Sequence, residues 1–362
     1  RQPSAPMNKP EAMVPSAVER DAIAEHRLRE RKRWRNCLLF TLLCGACLVL
    51  DIATGPSMLS PWDVLRSLLD VGERPAMTDT IVHDLRLPVA LMALAVGASL
   101  GAGGAQMQTL LNNPMASPYT LGMAAAAGFG AALSLAFGSF GLGPLIGVPL
   151  GAFACSMLAV VFLFALATLR HAGSHTIILG GIAMLFLFQS LLSLVQFLSS
   201  PELSQQILFW LFGNLGKATW TTLGITAGVT LLCCVILMGD AWKLAALSLG
   251  ETRAVSLGVN IRVLRLKILI LVAVMTATAT SFVGVIGFVG LVSPHIARMM
   301  VGEDQRFLLP LSAICGAFML SAASVLSKSI VPGALFPIGI VTAIVGVPFL
   351  LWLIFAPQRG RT

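Results

Sequence analysis

Apolar residues along this chain fall in blocks rather than in alternating stripes. A helix of about 20 residues crosses a ~30 Å hydrocarbon core. Blocks of that order occupy residues 36–55, 88–110, 119–138, 144–168, 176–199, 221–239, 265–283, 285–301, 308–327 and 338–356. Lipid offers backbone groups no hydrogen-bonding partner, so the blocks are read as helices. The two-residue period of a membrane β-barrel is absent. The pattern predicts an all-α, polytopic membrane protein of about ten transmembrane helices. The seventh and eighth spans are the least separated, because little polar sequence lies between them.

Composition agrees. The 362 residues are 57% hydrophobic and 11% charged, whereas soluble domains are about a quarter charged. Net charge is +8, and its placement carries more information than its sum. Residues 1–35 form a basic tail with nine of the 24 Lys and Arg residues, which suggests a cytoplasmic flank rather than nucleic-acid binding. A secretory signal fits poorly, because the basic stretch is long and the following block is of spanning length. An even number of spans puts both termini on one side. With that side cytoplasmic, nineteen basic residues lie inside and five outside, as the positive-inside rule requires. The organisation is then a tail over 1–35, a transmembrane domain over 36–356 and a short cytoplasmic tail over 357–362.

The loops differ in character. The first outer loop, 54–87, carries Asp63, Asp70, Glu73, Asp79 and Asp84 beside Arg66, Arg74 and Arg86. The second, 200–220, contains an apolar run over 207–212 that reads as a short interfacial helix, with Trp210 and Trp220 as anchors. The longest inner loop, 240–267, reads as two short helices broken at Gly258. Leu247, Leu249, Val255 and Leu257 would supply apolar contacts there, and Glu251 and Arg253 polar ones. Spacing alone leaves two readings open: a helix presented to a partner's groove, or one that lies on the membrane. Gly97, Gly101 and Gly104, and later Gly284, Gly287 and Gly290, read as close helix packing.

Candidate chemistry narrows the function by what is missing. Ion-coupled carriers keep ionisable groups near the bilayer midplane. Here Asp51 is the one acidic residue inside an apolar block, near that block's outer end. No GxxxxGK[ST] loop, HExxH or GxSxG occurs. Cys44 and Cys47 form a CxxC within an apolar block and read as packing residues. A polytopic bundle without its own energy source needs a separate motor, and the 240–267 loop is the natural place for one to dock. The rival is an ion-driven secondary carrier dependent on Asp51.

Six segments in order then carry a resemblance. They are Arg86-Leu-Pro88; Gly104-Ala-Gln-Met-Gln108 with Asn112-Asn-Pro-Met-Ala-Ser-Pro118 and Leu121-Gly122; Phe209-Trp-Leu-Phe-Gly213; the Leu249-Gly-Glu251 to Leu257-Gly258 loop; Gly287-Phe-Val-Gly-Leu-Val-Ser-Pro-His295; and Pro337-Ile-Gly-Ile-Val-Thr-Ala-Ile-Val-Gly-Val-Pro348. Together they resemble the permease family of type II ABC importers for iron-siderophores, haem and cobalamin, over nearly the whole chain after the tail. The resemblance implies a non-enzymatic subunit of the inner membrane. It pairs with a second permease subunit (a homodimer), binds two cytoplasmic ATPases and receives ligand from an extracytoplasmic binding protein. ATP and Mg belong to the ATPase, and the permease holds no cofactor. The matching positions put ATPase coupling on Leu249, Gly250, Glu251, Ala254, Leu257 and Gly258. The cytoplasmic gate falls on Gly173, Ser174, His175 and Thr176, where His175 is bulkier than the family's small polar residues. Binding-protein docking falls on Arg66, Arg74 and Lys328. The pathway lining falls on Gln106, Met107, Gln108, Met184, Gln189 and Ser193. The resemblance is nearest to the siderophore branch, with haem next, then cobalamin, and molybdate possible within the family.

Overall fold

A computed structural model of the chain describes residues 17–55, 58–71, 76–169, 174–330 and 336–355. Arg74, Gly173, the first sixteen residues and the tail over 357–362 lie outside the described residues. The described residues form helices and no strand. In chain order these are α1 (Ala17–Ala53), α2 (Pro61–Leu68), α3 (Ala76–Thr80), α4 (Leu87–Leu111), α5 (Met123–Ala136), α6 (Pro144–Leu169), α7 (Ser174–Leu198), α8 (Pro201–Leu211), α9 (Trp220–Gly239), α10 (Ala241–Ser248), α11 (Glu251–Ser256), α12 (Ile261–Val283), α13 (Val289–Val301), α14 (Gln305–Ile330) and α15 (Ile338–Phe355). Seven helices are long and apolar enough to cross a membrane, and α5, α13 and α15 are shorter apolar ones. Each of the ten blocks is thus a helix, as the pattern predicts.

Three boundaries differ from the sequence reading, each for a physical reason. The second span begins earlier than 88: a π-helical turn over Ile81–Arg86 joins α3 to α4, giving one helix over Met77–Leu111. Its polar residues are satisfied locally. Arg86 Nη1 donates to the carbonyls of Ile52 and Ala53, at 2.7 and 3.2 Å, at the end of α1. Ser67 Oγ donates to Asp79 at 2.6 Å. The third block is helical only from Met123, and the eighth only from Val289. The irregular stretches 112–122 and 284–288 meet, Pro118 and Tyr119 sharing a pocket with Ile286, Phe288 and mid-α4 Leu100. Irregular backbone at membrane depth is tolerated where protein rather than lipid surrounds it. Local turns supply most of the backbone partners: Asn113 N–H donates to Gln108 O at 3.1 Å, Leu121 N–H to Ser117 O at 3.2 Å and Gly284 N–H to Thr280 O at 2.8 Å.

The second span is the centre of the bundle. Along α4 the backbone meets two neighbours with no side chain between. A Cβ on Gly97 would sit 2.3 Å from Gly316 O, and one on Gly104 only 1.7 Å from Gly290 O. Packing, which small residues permit between helices in lipid, accounts for these glycines. The outer loop helix is also present: Ser200 caps α8, its hydroxyl accepting from Leu203 N–H at 3.3 Å. Trp210 is not an interfacial anchor, however. It packs inward against Ala127, Ala131, Val148 and Ala152, while Trp220 stays exposed.

Candidate functional site

The segment between α9 and α12 is fixed to the bundle on one side and open on the other. Ala241, Leu244, Ala246, Leu247, Ala254 and Val259 are buried. Leu249, Val255 and Leu257 are exposed, together with Glu251 and Arg253. Leu247 therefore does not join the presented apolar group; the last turn of α10 directs it inward. The break between the helices is at Gly250 (φ 107), not Gly258. Gly258 (φ 81) instead closes α11: its N–H donates to Val255 O at 2.9 Å, and Val259 N–H donates to Ala254 O at 3.0 Å. That pair is the Schellman pattern, which favours glycine at its left-handed position.

Ion pairs complete the attachment. Asp240, almost fully buried at the end of α9, accepts from Lys243 Nζ at 2.6 Å and from Lys267 of α12. Burial works against the Asp240 charge, but the hydrogen bonds and charges of the two lysines outweigh it and hold the carboxyl below its ordinary range. Glu251 pairs with Arg265 of α12, and Asn260 caps that helix by accepting from Val263 N–H at 3.1 Å. A partner pressing on α11 therefore meets a unit tied to both α9 and α12.

At the same end, Asp304 joins three elements. Arg33 of α1 reaches it at 2.9 Å and Arg306 of α14 at 3.0 Å. Arg306 is the chief cause of an Asp304 pKa below the usual carboxylate range. Arg298 donates to Gln108 Oε1 at 2.8 Å and pairs with Glu303 at 2.8 Å. Sequence reading missed Asp240, Asp304 and Arg298, since their partners are distant in the chain or indistinguishable from other loop charges.

The remaining expected site residues fall in different settings. Gln106, Met107 and Gln108 are buried between helices; Gln108 also donates to Leu291 O at 3.3 Å, and the Gln106 amide has no partner among the described residues. Met184 is buried in the main apolar core. Gln189 and Ser193 lie on the exposed face of α7. Near the start of α7, His175 is exposed, and Ser174 and Thr176 are half-buried. Arg66 is exposed and lies over the Trp62 ring, 5.2 Å from its centroid. Lys328 is not a free surface cation: its side chain is 10% exposed and pairs at 2.8 Å with Asp51, which is 0% exposed. Ser324 donates to the same Asp51 oxygen at 2.8 Å. The acid singled out by sequence is thus part of an α1–α14 ion pair.

The apolar multi-helix bundle, with few charges inside it, defines a multi-pass membrane protein. Residues 40–356 match the FecCD transport family, and the chain belongs to it. It is 36% identical to the hemin transport system permease protein HmuU of Yersinia pestis, over 77% of this chain and 84% of that one. It is 31% identical to the vitamin B12 import system permease protein BtuC of Vibrio parahaemolyticus, over 92% and 98%. A solved structure titled as an inward-facing conformation of a metal-chelate type ABC transporter matches with TM-score 0.78 and 29% identity, over 90% of this chain and 100% of that chain.

Proposed function

We propose that this chain is the membrane-spanning subunit of an ATP-driven importer that carries an iron(III)-siderophore-type chelate inward. The observation that carries the reading is the α10–α11 segment, anchored through Asp240 and Glu251 while Leu249, Val255 and Leu257 face outward. An exposed apolar group on a rigid mount suits a partner's groove, and here the partner is a cytoplasmic ATPase that holds ATP and Mg. That end carries the excess of Lys and Arg and is therefore cytoplasmic, with both termini. A second copy of the chain completes a path along α7, where Gln189 and Ser193 are exposed. Gln106, Met107, Gln108 and Met184 sit behind that path in this conformation. Ser174, His175 and Thr176, with Gly173, form its inner gate. An extracytoplasmic binding protein delivers the cargo at the opposite end, steered by Arg66 and Arg74, while Asp51 offsets the Lys328 charge. Such contacts set register and encounter more than affinity.

Haem is the second reading, favoured by the hemin permease among the relatives. The test is uptake into proteoliposomes holding this chain with its ATPase and binding protein. A ferric hydroxamate and haem are each offered, with and without ATP. Accumulation of the hydroxamate chelate only with ATP supports the proposal. Accumulation by this chain alone under a proton or sodium gradient refutes it.

A further inference from the structure

Helix α1 is longer than a membrane span requires. Its 37 residues reach about 55 Å, and its candidate span starts at Glu30. The family match begins only at residue 40, so the turns before it lie outside what the family relation describes. One face of those turns is fixed to the bundle. Arg33 Nη1 donates to Asp304 at 2.9 Å, and its guanidinium lies 5.3 Å from the centroid of the Phe307 ring. Trp34 meets the same ring edge-on, with centroids 5.7 Å apart. Cys37 and Cys44 are buried along that face.

The opposite face is basic and then apolar. Arg27, Arg31 and Arg35 recur every four residues and share one stripe, about half a turn of rotation from Arg33. All three are exposed, and exposed Lys32 stands beside them. Exposed Leu38, Leu39 and Leu42 continue the same face toward the membrane, and exposed Trp34 falls where charge gives way to leucine. The described acids of these turns lie elsewhere. Glu30 is turned toward Arg306 of α14, and Glu25 is two turns farther out than Lys32.

We propose that this face of α1 binds an anionic phospholipid, its phosphate held by Arg31, Lys32 and Arg35 and its acyl chains laid along Leu38, Leu39 and Leu42. Charge alone would suit any polyanion. The order of the two halves selects the class. A soluble anion or a nucleic acid matches the basic residues and leaves the leucines unmatched. A phospholipid presents charge and then hydrocarbon in the same sequence, and Arg35 to Leu42 rises about 10 Å. Basic clusters next to a span attract anionic lipid, and an indole at headgroup level suits the boundary. Because Arg33 ties the same turns to Asp304, a lipid bound here braces the contact of α1 with the start of α14. The proposal depends on where α1 leaves the bilayer and not on the importer reading.

The experiment is native mass spectrometry of the full chain in detergent, titrated with phosphatidylglycerol or phosphatidylcholine of identical acyl chains. Phosphatidylglycerol binds more tightly. Arg31→Gln, Lys32→Gln and Arg35→Gln each lower its affinity about fivefold, leave phosphatidylcholine binding unchanged and leave the melting temperature in phosphatidylcholine unchanged. Leu38→Gln with Leu42→Gln weakens both lipids, which a site for phosphate alone would not show. Arg262→Gln, at an exposed arginine of α12, controls for loss of one positive charge anywhere on the surface. Equal affinity for the two lipids, or an equal fall with Arg262→Gln, overturns the proposal. Displacement of the lipid by glycerol phosphate at equal concentration also overturns it, and makes the stripe a site for free anions. Basic-residue variants that keep the lipid preference but release the ATPase overturn it in favour of an acidic protein face.

Discussion

The Asp51–Lys328 pair gives the most discriminating test of how this bundle is held. Asp51 is 0% exposed, with one oxygen taken by Lys328 and Ser324 and the other, Oδ2, without a partner among the described residues. Lys328→Met leaves that carboxylate buried and unpaired. Breaking a buried pair from one side costs about 3–5 kcal/mol. The pair sits near the ends of α1 and α14, and the Lys328 side chain is 10% exposed, so the lower end, about 3 kcal/mol, is expected. Asp51→Asn keeps an acceptor for the ammonium and should cost about 2 kcal/mol. The double variant removes both charges, and its cost should be about 2 kcal/mol rather than the sum of about 5, a coupling of about 3 kcal/mol. At roughly 2 °C per kcal/mol, Lys328→Met lowers the melting temperature of the detergent-solubilised protein by about 6 °C, and the double variant recovers part of that loss. Additive single effects refute the reasoning. An Asp51→Asn variant that melts like the parent yet loses uptake would point to the ion-driven carrier instead.

Other expectations follow from single sites. Gly104→Ala puts a methyl 1.7 Å from Gly290 O, a clash that only separation of α4 and α13 relieves; it should cost about 3 kcal/mol or more, read as lower melting temperature and yield. Gly258→Ala meets open space but must hold φ 81, a strain of about 1–2 kcal/mol; uptake should fall while ATP hydrolysis by the assembled transporter continues, and unchanged uptake per ATP would refute a coupling role. The depressed pKa of Asp304, due first to Arg306, stabilises the fold above the ordinary carboxylate pKa, and that stability is lost as pH falls through the lowered value. Melting temperature should drop on acidification below about pH 4, and Asp304→Asn should remove that part of the dependence.

The ten apolar blocks were legible as helices because such blocks leave little alternative in lipid. Their interruptions were not. Residues 119–122 and 285–288 fell inside apolar blocks yet stay irregular, held by local turns such as Leu121 N–H to Ser117 O at 3.2 Å and Gly122 N–H to Tyr119 O at 3.2 Å. Polar side chains in spans posed a related problem. Gln106, Gln108 and Gln189 look alike in sequence, yet the first two are enclosed between helices and the third faces outward. The 240–267 segment was legible as a two-helix loop, but the break fell at Gly250 because Gly258 was needed as a cap. The setting of Lys328 depended on Asp51, 277 positions away, and no local pattern could reveal it.

The ion pairs of the α10–α11 segment give it a defined mechanical setting. Under the importer reading, the energy for transport enters where this segment meets its ATPase. Displacement of α11 pulls on Arg265 through Glu251, and displacement of α10 pulls on Lys267 through Asp240. Both basic residues lie on α12, which packs against α4, α6 and α9. Motion applied at exposed Leu249, Val255 and Leu257 thus reaches the central helix through one rigid element rather than through a loop. Contiguity alone does not prove coupling. It does predict that breaking the Glu251–Arg265 and Asp240–Lys267 links together uncouples uptake from hydrolysis more than either break alone, with melting temperature as the control for simple loss of fold.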